Sequence, residues 1–177
     1  MKIIPKQSSL ILIDLQGRLM PAIHEGDKVL EQCIRIAKIA KLLEVPIIGT
    51  EQSPQSLGHN SPEITPFCEQ TIFKEHFDGC QDGLIDTLSR NREHLILAGC
   101  ETHVCVMQTA LELLRQNFRV SIVVDAVGSC RLLDRDIALH RLGSAGATLL
   151  TAEMLAFEWL RSAGNPVFKE ALEIIKS

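Results

Sequence analysis

Cys105, Asp14 and Lys74 have the residue types and settings that nucleophilic catalysis requires. Cys105 follows the apolar run at 95–99 (LILAG) and the turn CETHV. It stands in the first turn of a stretch with helical spacing, carried by Val106, Ala110, Leu111, Leu113 and Leu114. Unpaired N–H groups at a helix start carry partial positive charge, which favours a thiolate over a thiol. Asp14 closes the apolar run SLILI, where a carboxylate is expensive to bury without partners. Lys74 ends the run TIFK. Such a set has a coherent chemistry. A thiolate attacks a carbonyl, and a carboxylate takes the thiol proton and returns it to a leaving amine. An ammonium holds the charges in place, while N–H groups at the helix start receive the oxyanion.

The elements that must position these residues follow from the apolar pattern. Short continuous runs predict strands at 9–15, 46–50, 71–75, 94–99, 119–126 and 147–151. Longer periodic stretches predict helices at 28–44, 84–90, 102–116, 134–146 and 152–163, and a last one from Pro166 onward. Strands buried on both faces and alternating with helices make a parallel sheet covered on both sides. Right-handed crossovers then restrict the topology to a three-layer α/β/α doubly wound sheet of six strands, order 3-2-1-4-5-6. Ligands bind such sheets outside the carboxyl ends of the strands, where the order reverses. Strands 1 and 4 meet there, so Asp14 and Cys105 face one crevice and Lys74 reaches it with its long side chain. The irregular stretch 51–70, with Pro54, Pro62 and Pro66, is expected to be a functional loop over one edge of that site.

Composition narrows the class. With 177 residues, 46% hydrophobic and 23% charged, the chain fits a single globular domain, 1–177. Aromatic content of 4%, with no Tyr, leaves a core that must be aliphatic. A formal net charge of -4 and no basic stripe argue against nucleic acid as a partner. The N-terminal apolar run is broken by Asp14, too short to span a membrane, and has no signal-peptide cleavage site. Six cysteines without a C-x-x-C pair or a regular framework read as reduced thiols in a cytoplasmic protein. No G-x-G-x-x-G fingerprint or P-loop is present, so no organic cofactor is expected.

Several stretches together resemble the isochorismatase-like cysteine hydrolase superfamily, which includes nicotinamidases and N-carbamoylsarcosine amidohydrolase. They are LIDLQG (12–17), the Lys of IFKEHFD (72–78), GCETHVCV (99–106), and the tail from GATLLTAEM through WLR to VFKEALEIIK. The resemblance implies a triad of Asp14, Lys74 and Cys105. It also implies a cis peptide between Cys100 and Glu101, with the Glu101 and Cys105 N–H groups facing the oxyanion. It further implies a small-molecule substrate and a homo-oligomer. Nicotinamidases of the superfamily hold a metal with Asp-x-His after the second strand. Thr50, Glu51 and Gln52 stand there instead, and Glu51 with His59 makes a poor metal site, so no metal is expected. Isochorismatases proper lack the Cys nucleophile, so Cys105 points to an amide, ureido or related acyl substrate. The signature TEQ-x-P-x-x-LG (50–58) resembles a subgroup of this superfamily without a defined substrate.

Other residues have plainer readings beside functional ones. Gln16, Glu51 and Gln52 either line the pocket or solvate loops, and His76 and Phe77 either wall it or lie on the surface. His103 is two residues from Cys105, a spacing at which helical side chains diverge, so it is expected to pack or face solvent. Cys100 is expected to be structural. Met154, Phe157, Trp159 and Leu160 form a core or subunit-contact stripe. Two rivals to a hydrolase remain at this stage. One is a non-catalytic interaction protein on the same fold. The other is a redox sensor that bridges Cys100 and Cys105.

Overall fold

The runs SLILI and HLILAG become the two central strands because they are apolar without alternation. β1 (Ser8–Ile13) and β4 (His94–Cys100) are buried at every position, as strands covered on both faces must be. A computed structural model describes residues 2–89 and 91–176. In it β2 (Ile47–Gln52), β3 (Gln70–Lys74), β5 (Arg119–Gly128) and β6 (Thr148–Leu150) complete one sheet. The order is β3-β2-β1-β4-β5-β6 and every neighbouring pair is parallel. The expected doubly wound architecture is borne out, with the reversal of order between β1 and β4.

Alternate strand residues feed two aliphatic cores. On one face Leu10, Leu12, Ile96 and Ala98 pack with Cys33, Ile36, Ala37 and Ala40 of α1 (Gly26–Leu42). Leu155 and Trp159 of α5 (Ala152–Leu160) and Ala171 of α6 (Phe168–Lys176) close that layer. On the other face Ile11, Ile13, Leu95 and Leu97 pack with Ala110 and Leu113 of α3 (Met107–Arg115) and Leu139 and Leu142 of α4 (Leu132–Ser144). A short helix, α2 (Pro54–Leu57), lies in the long loop after β2.

Two differences from the sequence expectation bear on the site. β2 runs to Gln52 rather than stopping at 50, because Glu51 and Gln52 pair with Phe73 and Lys74 of β3. The helix expected at 84–90 does not form among its described residues (Arg90 lies outside them), where a single 3-10 turn, Ile85–Thr87, stands instead. Gly83 enters it with φ 95, the Thr87 hydroxyl donates back to Leu84 O at 2.6 Å, and Leu88 is already extended. The β3–β4 crossover is therefore made of turns, with buried Leu84 as its anchor.

Candidate active site

The ends of β1, β2 and β3 each deliver one polar side chain to the crevice, Asp14, Gln52 and Lys74. Asp14 is the residue after β1, and its φ of 51 turns the chain out of the strand, a conformation Asp tolerates better than most residues. Gly99 makes the neighbouring turn possible. At φ 116 a Cβ there would lie 2.0 Å from Ile13 O, so only glycine lets β4 pass the end of β1. The next peptide, Cys100–Glu101, is cis. The chain then enters a π-helical turn, Thr102–Val106, in which the N–H groups of Val104 and Val106 both donate to Glu101 O, and continues as α3. Single π turns inside helices recur at functional sites.

The crevice brings together Asp14, Lys74, Cys105 and Gln52. Lys74 Nζ lies 2.7 Å from Asp14 Oδ2, both side chains being inaccessible to solvent. This ammonium balances the charge on Oδ2. The other carboxylate oxygen, Oδ1, accepts from Thr50 Oγ1 at 2.6 Å. Lys74 Nζ also donates to Gln52 Oε1 at 2.6 Å and makes a long contact, 3.5 Å, to His76 O. The Cys105 thiol lies 3.9 Å from the same Gln52 oxygen.

Burial, not the helix start, governs the thiol. Desolvation pushes the Cys105 thiol up to about 12, the Asp14 carboxylate pushes the same way, and the Lys74 ammonium opposes both. Burial and the Asp14 carboxylate thus work against the thiolate that the helix start favours. Cys100 is fully buried and is also pushed up, first by desolvation. Both cysteines are free.

The remaining candidates take supporting or outlying places. Gln16 is wholly buried and acts as a clasp. Its Oε1 accepts from Gln52 N at 2.7 Å, and its Nε2 donates to Gln52 O at 3.0 Å and Gly58 O at 2.6 Å. Gln52 Nε2 donates to Glu75 O at 2.8 Å, which orients the carboxamide oxygen toward Lys74. Glu51 points the other way along β2. Its carboxylate accepts from Asn60 N at 2.8 Å and lies 2.9 Å from His59 Nδ1, so it braces the 53–60 loop. His76 and Phe77 are exposed on the segment after β3, where Asp82 holds the His76 main-chain N–H and ring. The Glu101 carboxylate accepts from Cys130 N at 2.8 Å, and His103 Nδ1 meets Ser129 Oγ at 2.9 Å, tying the π-helical turn to the loop after β5. Thr50 was not singled out from sequence as a partner of Asp14. The available signal was strand alternation, which puts residues 50 and 52 on one face once β2 is allowed to continue.

An Isochorismatase domain matches residues 8–154. The chain belongs to the isochorismatase family. Isochorismatase domain-containing protein 2A of Mus musculus is 37% identical over 176 residues, covering 99% of this chain and 85% of the mouse protein. Among solved structures, the MAR1 ribonuclease of Caenorhabditis elegans aligns with a TM-score of 0.94 and 34% identity, covering 100% of this chain and 93% of that one. The Escherichia coli YcaC gene product, described as an octameric hydrolase of unknown specificity, shares the fold. Its TM-score is 0.87 at 23% identity, covering 99% of this chain and 95% of that one. Membership of the isochorismatase family supports a hydrolase-like fold for this chain.

Proposed function

We propose that this isochorismatase-family protein hydrolyses a small amide, ureido or related C–N substrate through a thioester on Cys105. The observation that carries the reading is the buried Asp14–Lys74 ion pair set against the Cys105 thiol at the switch point of the sheet. Asp14, paired with Lys74 through Oδ2, takes the thiol proton as sulfur attacks the carbonyl carbon. The N–H groups of Glu101 and Cys105 receive the oxyanion. The C–N bond breaks as the amine takes the proton back from Asp14. Water then gives a proton to Asp14 and attacks the thioester, releasing the acid and restoring the thiol. Lys74 sits against the carboxylate beside an apolar core, and Gln52 positions the ammonium and the thiol through one carboxamide oxygen. No metal or organic cofactor enters this scheme.

The six free cysteines support a reducing, cytoplasmic setting. Among the described residues no helix is long and apolar enough to cross a membrane. The octameric neighbour supports reading this chain as a homo-oligomer. The neighbour named as a ribonuclease provides a second reading, phosphodiester cleavage of RNA, which the net charge of -4 does not favour.

Both readings meet in one experiment, turnover of a panel of small amides, ureido acids and RNA. The hydrolase reading expects turnover of a C–N substrate that falls by about 10²–10⁴-fold in Asp14→Asn and disappears in Cys105→Ala. Cleavage of RNA alone, unaffected by Cys105→Ala, would overturn it.

A further inference from the structure

α4 exposes an apolar stripe on the side away from the sheet. Leu133 is 71% exposed, Ile137 61% and Leu132 49%, whereas Ala138, Leu139 and Leu142 of the same helix are buried. Beside the stripe runs a groove of about 400 Å³. Leu133, Asp134, Ile137 and Arg141 line one side, and His103 and Met107 of the nucleophile turn and α3 line the other.

The charges on this face have a pattern of their own. Asp134 and Arg141 stand seven residues apart, two helical turns or about 10 Å, with Ile137 and Ala138 midway between them. Among the described residues Asp134 forms no ion pair, and Arg141 makes only a long contact, 3.9 Å, to Met107 Sδ. An opposite-sign pair placed symmetrically about an apolar centre is self-complementary. A second α4 laid antiparallel, related by a two-fold axis passing beside residues 137 and 138, sets Asp134 against the partner's Arg141 and Arg141 against the partner's Asp134. The same operation brings the two exposed Ile137 side chains together beside the axis, over the groove that Ala138 helps to line. Residue i meets j and j meets i, as an isologous contact requires.

The exposed apolar face of α5 does not offer this. Phe157 of α5 leans on Phe168, with ring centroids 6.5 Å apart, and Glu158 accepts from Ile3 N at 2.9 Å. The helix ends at Leu160, so Arg161, at φ 64, leaves its register.

We infer that a second copy of this chain docks on α4 in an antiparallel two-fold pair centred on Ile137. The inference rests on the reading of the chain as a homo-oligomer and adds the surface and its geometry. Because His103 lines the groove two residues before Cys105, the partner copy borders the nucleophile turn.

Sedimentation velocity on the full chain tests it, with circular dichroism melts to show that each variant is folded. Asp134→Arg and Arg141→Asp, each alone, put like charges across the two-fold and are expected to weaken assembly by about tenfold or more. An equimolar mixture of the two variants restores both opposite-sign contacts in the mixed pair and is expected to reassemble. Ile137→Glu is expected to dissociate the pair and not to be rescued by mixing. A wild-type chain that is monomeric overturns the homo-oligomer reading and this inference together. A wild-type assembly indifferent to all three variants overturns the α4 surface alone. Dissociation by the charge variants without rescue on mixing overturns the antiparallel pairing.

Discussion

The two ends of the sheet both bury an ionisable group, and they treat it in opposite ways. At the amino end His94 opens β4 and is only 5% exposed, with Nε2 set 2.8 Å from Ser121 Oγ. Burial, helped by the charge of Arg119, pushes that imidazole down to about 4, so it is neutral and structural. At the carboxyl end Asp14 and Lys74 are buried as a charged pair, and a thiol is placed against them. Burial shifts groups at both ends, so a perturbed titration by itself does not mark a site. What marks the carboxyl end is opposite charges held in apolar surroundings beside a thiol, a costly arrangement to maintain for packing alone.

The strongest way to break this contrast is to remove the cation. Lys74→Met leaves Asp14 buried and unpaired, and is expected to lower stability by about 3–5 kcal/mol, read from urea unfolding. Gly99→Ala attacks the same end through the backbone. A Cβ 2.0 Å from Ile13 O forces the ends of β1 and β4 apart. A loss of about 3 kcal/mol is expected in the same assay, with turnover falling further than stability.

Sharper still is the titration of the thiol. Asp14 raises the Cys105 pKa and Lys74 lowers it, so Asp14→Asn should bring the apparent pKa down from about 12 while lowering turnover by about 10²–10⁴-fold. Thiolate absorbance, taken as the difference from Cys105→Ala, reads that shift. An unchanged or higher pKa would show that the carboxylate does not act on this thiol. Gln52→Ala removes one hydrogen bond to the ammonium, worth about 1.5–3 kcal/mol when the donor is charged. It is expected to reduce turnover by about tenfold with little change in fold.

The smallest effect lies at the amino end. His94 has its folded pKa depressed below the ordinary 6.5, so the unfolded chain binds the extra proton first as pH falls. Its contribution is complete above pH 6.5 and is lost progressively toward about 4. His94→Gln should flatten the stability profile across that window and leave turnover unchanged.

Much of the carboxyl end was legible in the sequence, because strand ends are marked by where apolar runs stop. Asp14 and Cys105 each follow such a run, and the doubly wound order places them together, whereas Lys74 alone reads as a surface residue and rests mostly on the family resemblance. Gln52 and Thr50 were harder to place. The polar segment Thr-Glu-Gln looks like the start of a loop, and only pairing with β3 keeps it in the strand and turns residues 50 and 52 to one face. Glu51, between them, turns to the opposite side and braces the loop through Asn60 and His59. The absent helix at 84–90 has a similar cause. Its apolar spacing is helical, but Gly83 and the Thr87 hydroxyl bond break the register locally. The protonation state of Cys105 was beyond sequence reasoning, because a helix start favours the thiolate weakly and the depth of burial that outweighs it is a tertiary property.

The most direct measurement of the central claim is the intact mass and site of acylation after mixing the protein with an activated acyl ester at neutral pH. The account predicts a single acyl group on Cys105, with Cys100 unmodified, formed about 100-fold more slowly in Asp14→Asn. Acylation at another residue, or an undiminished rate in Asp14→Asn, would contradict it.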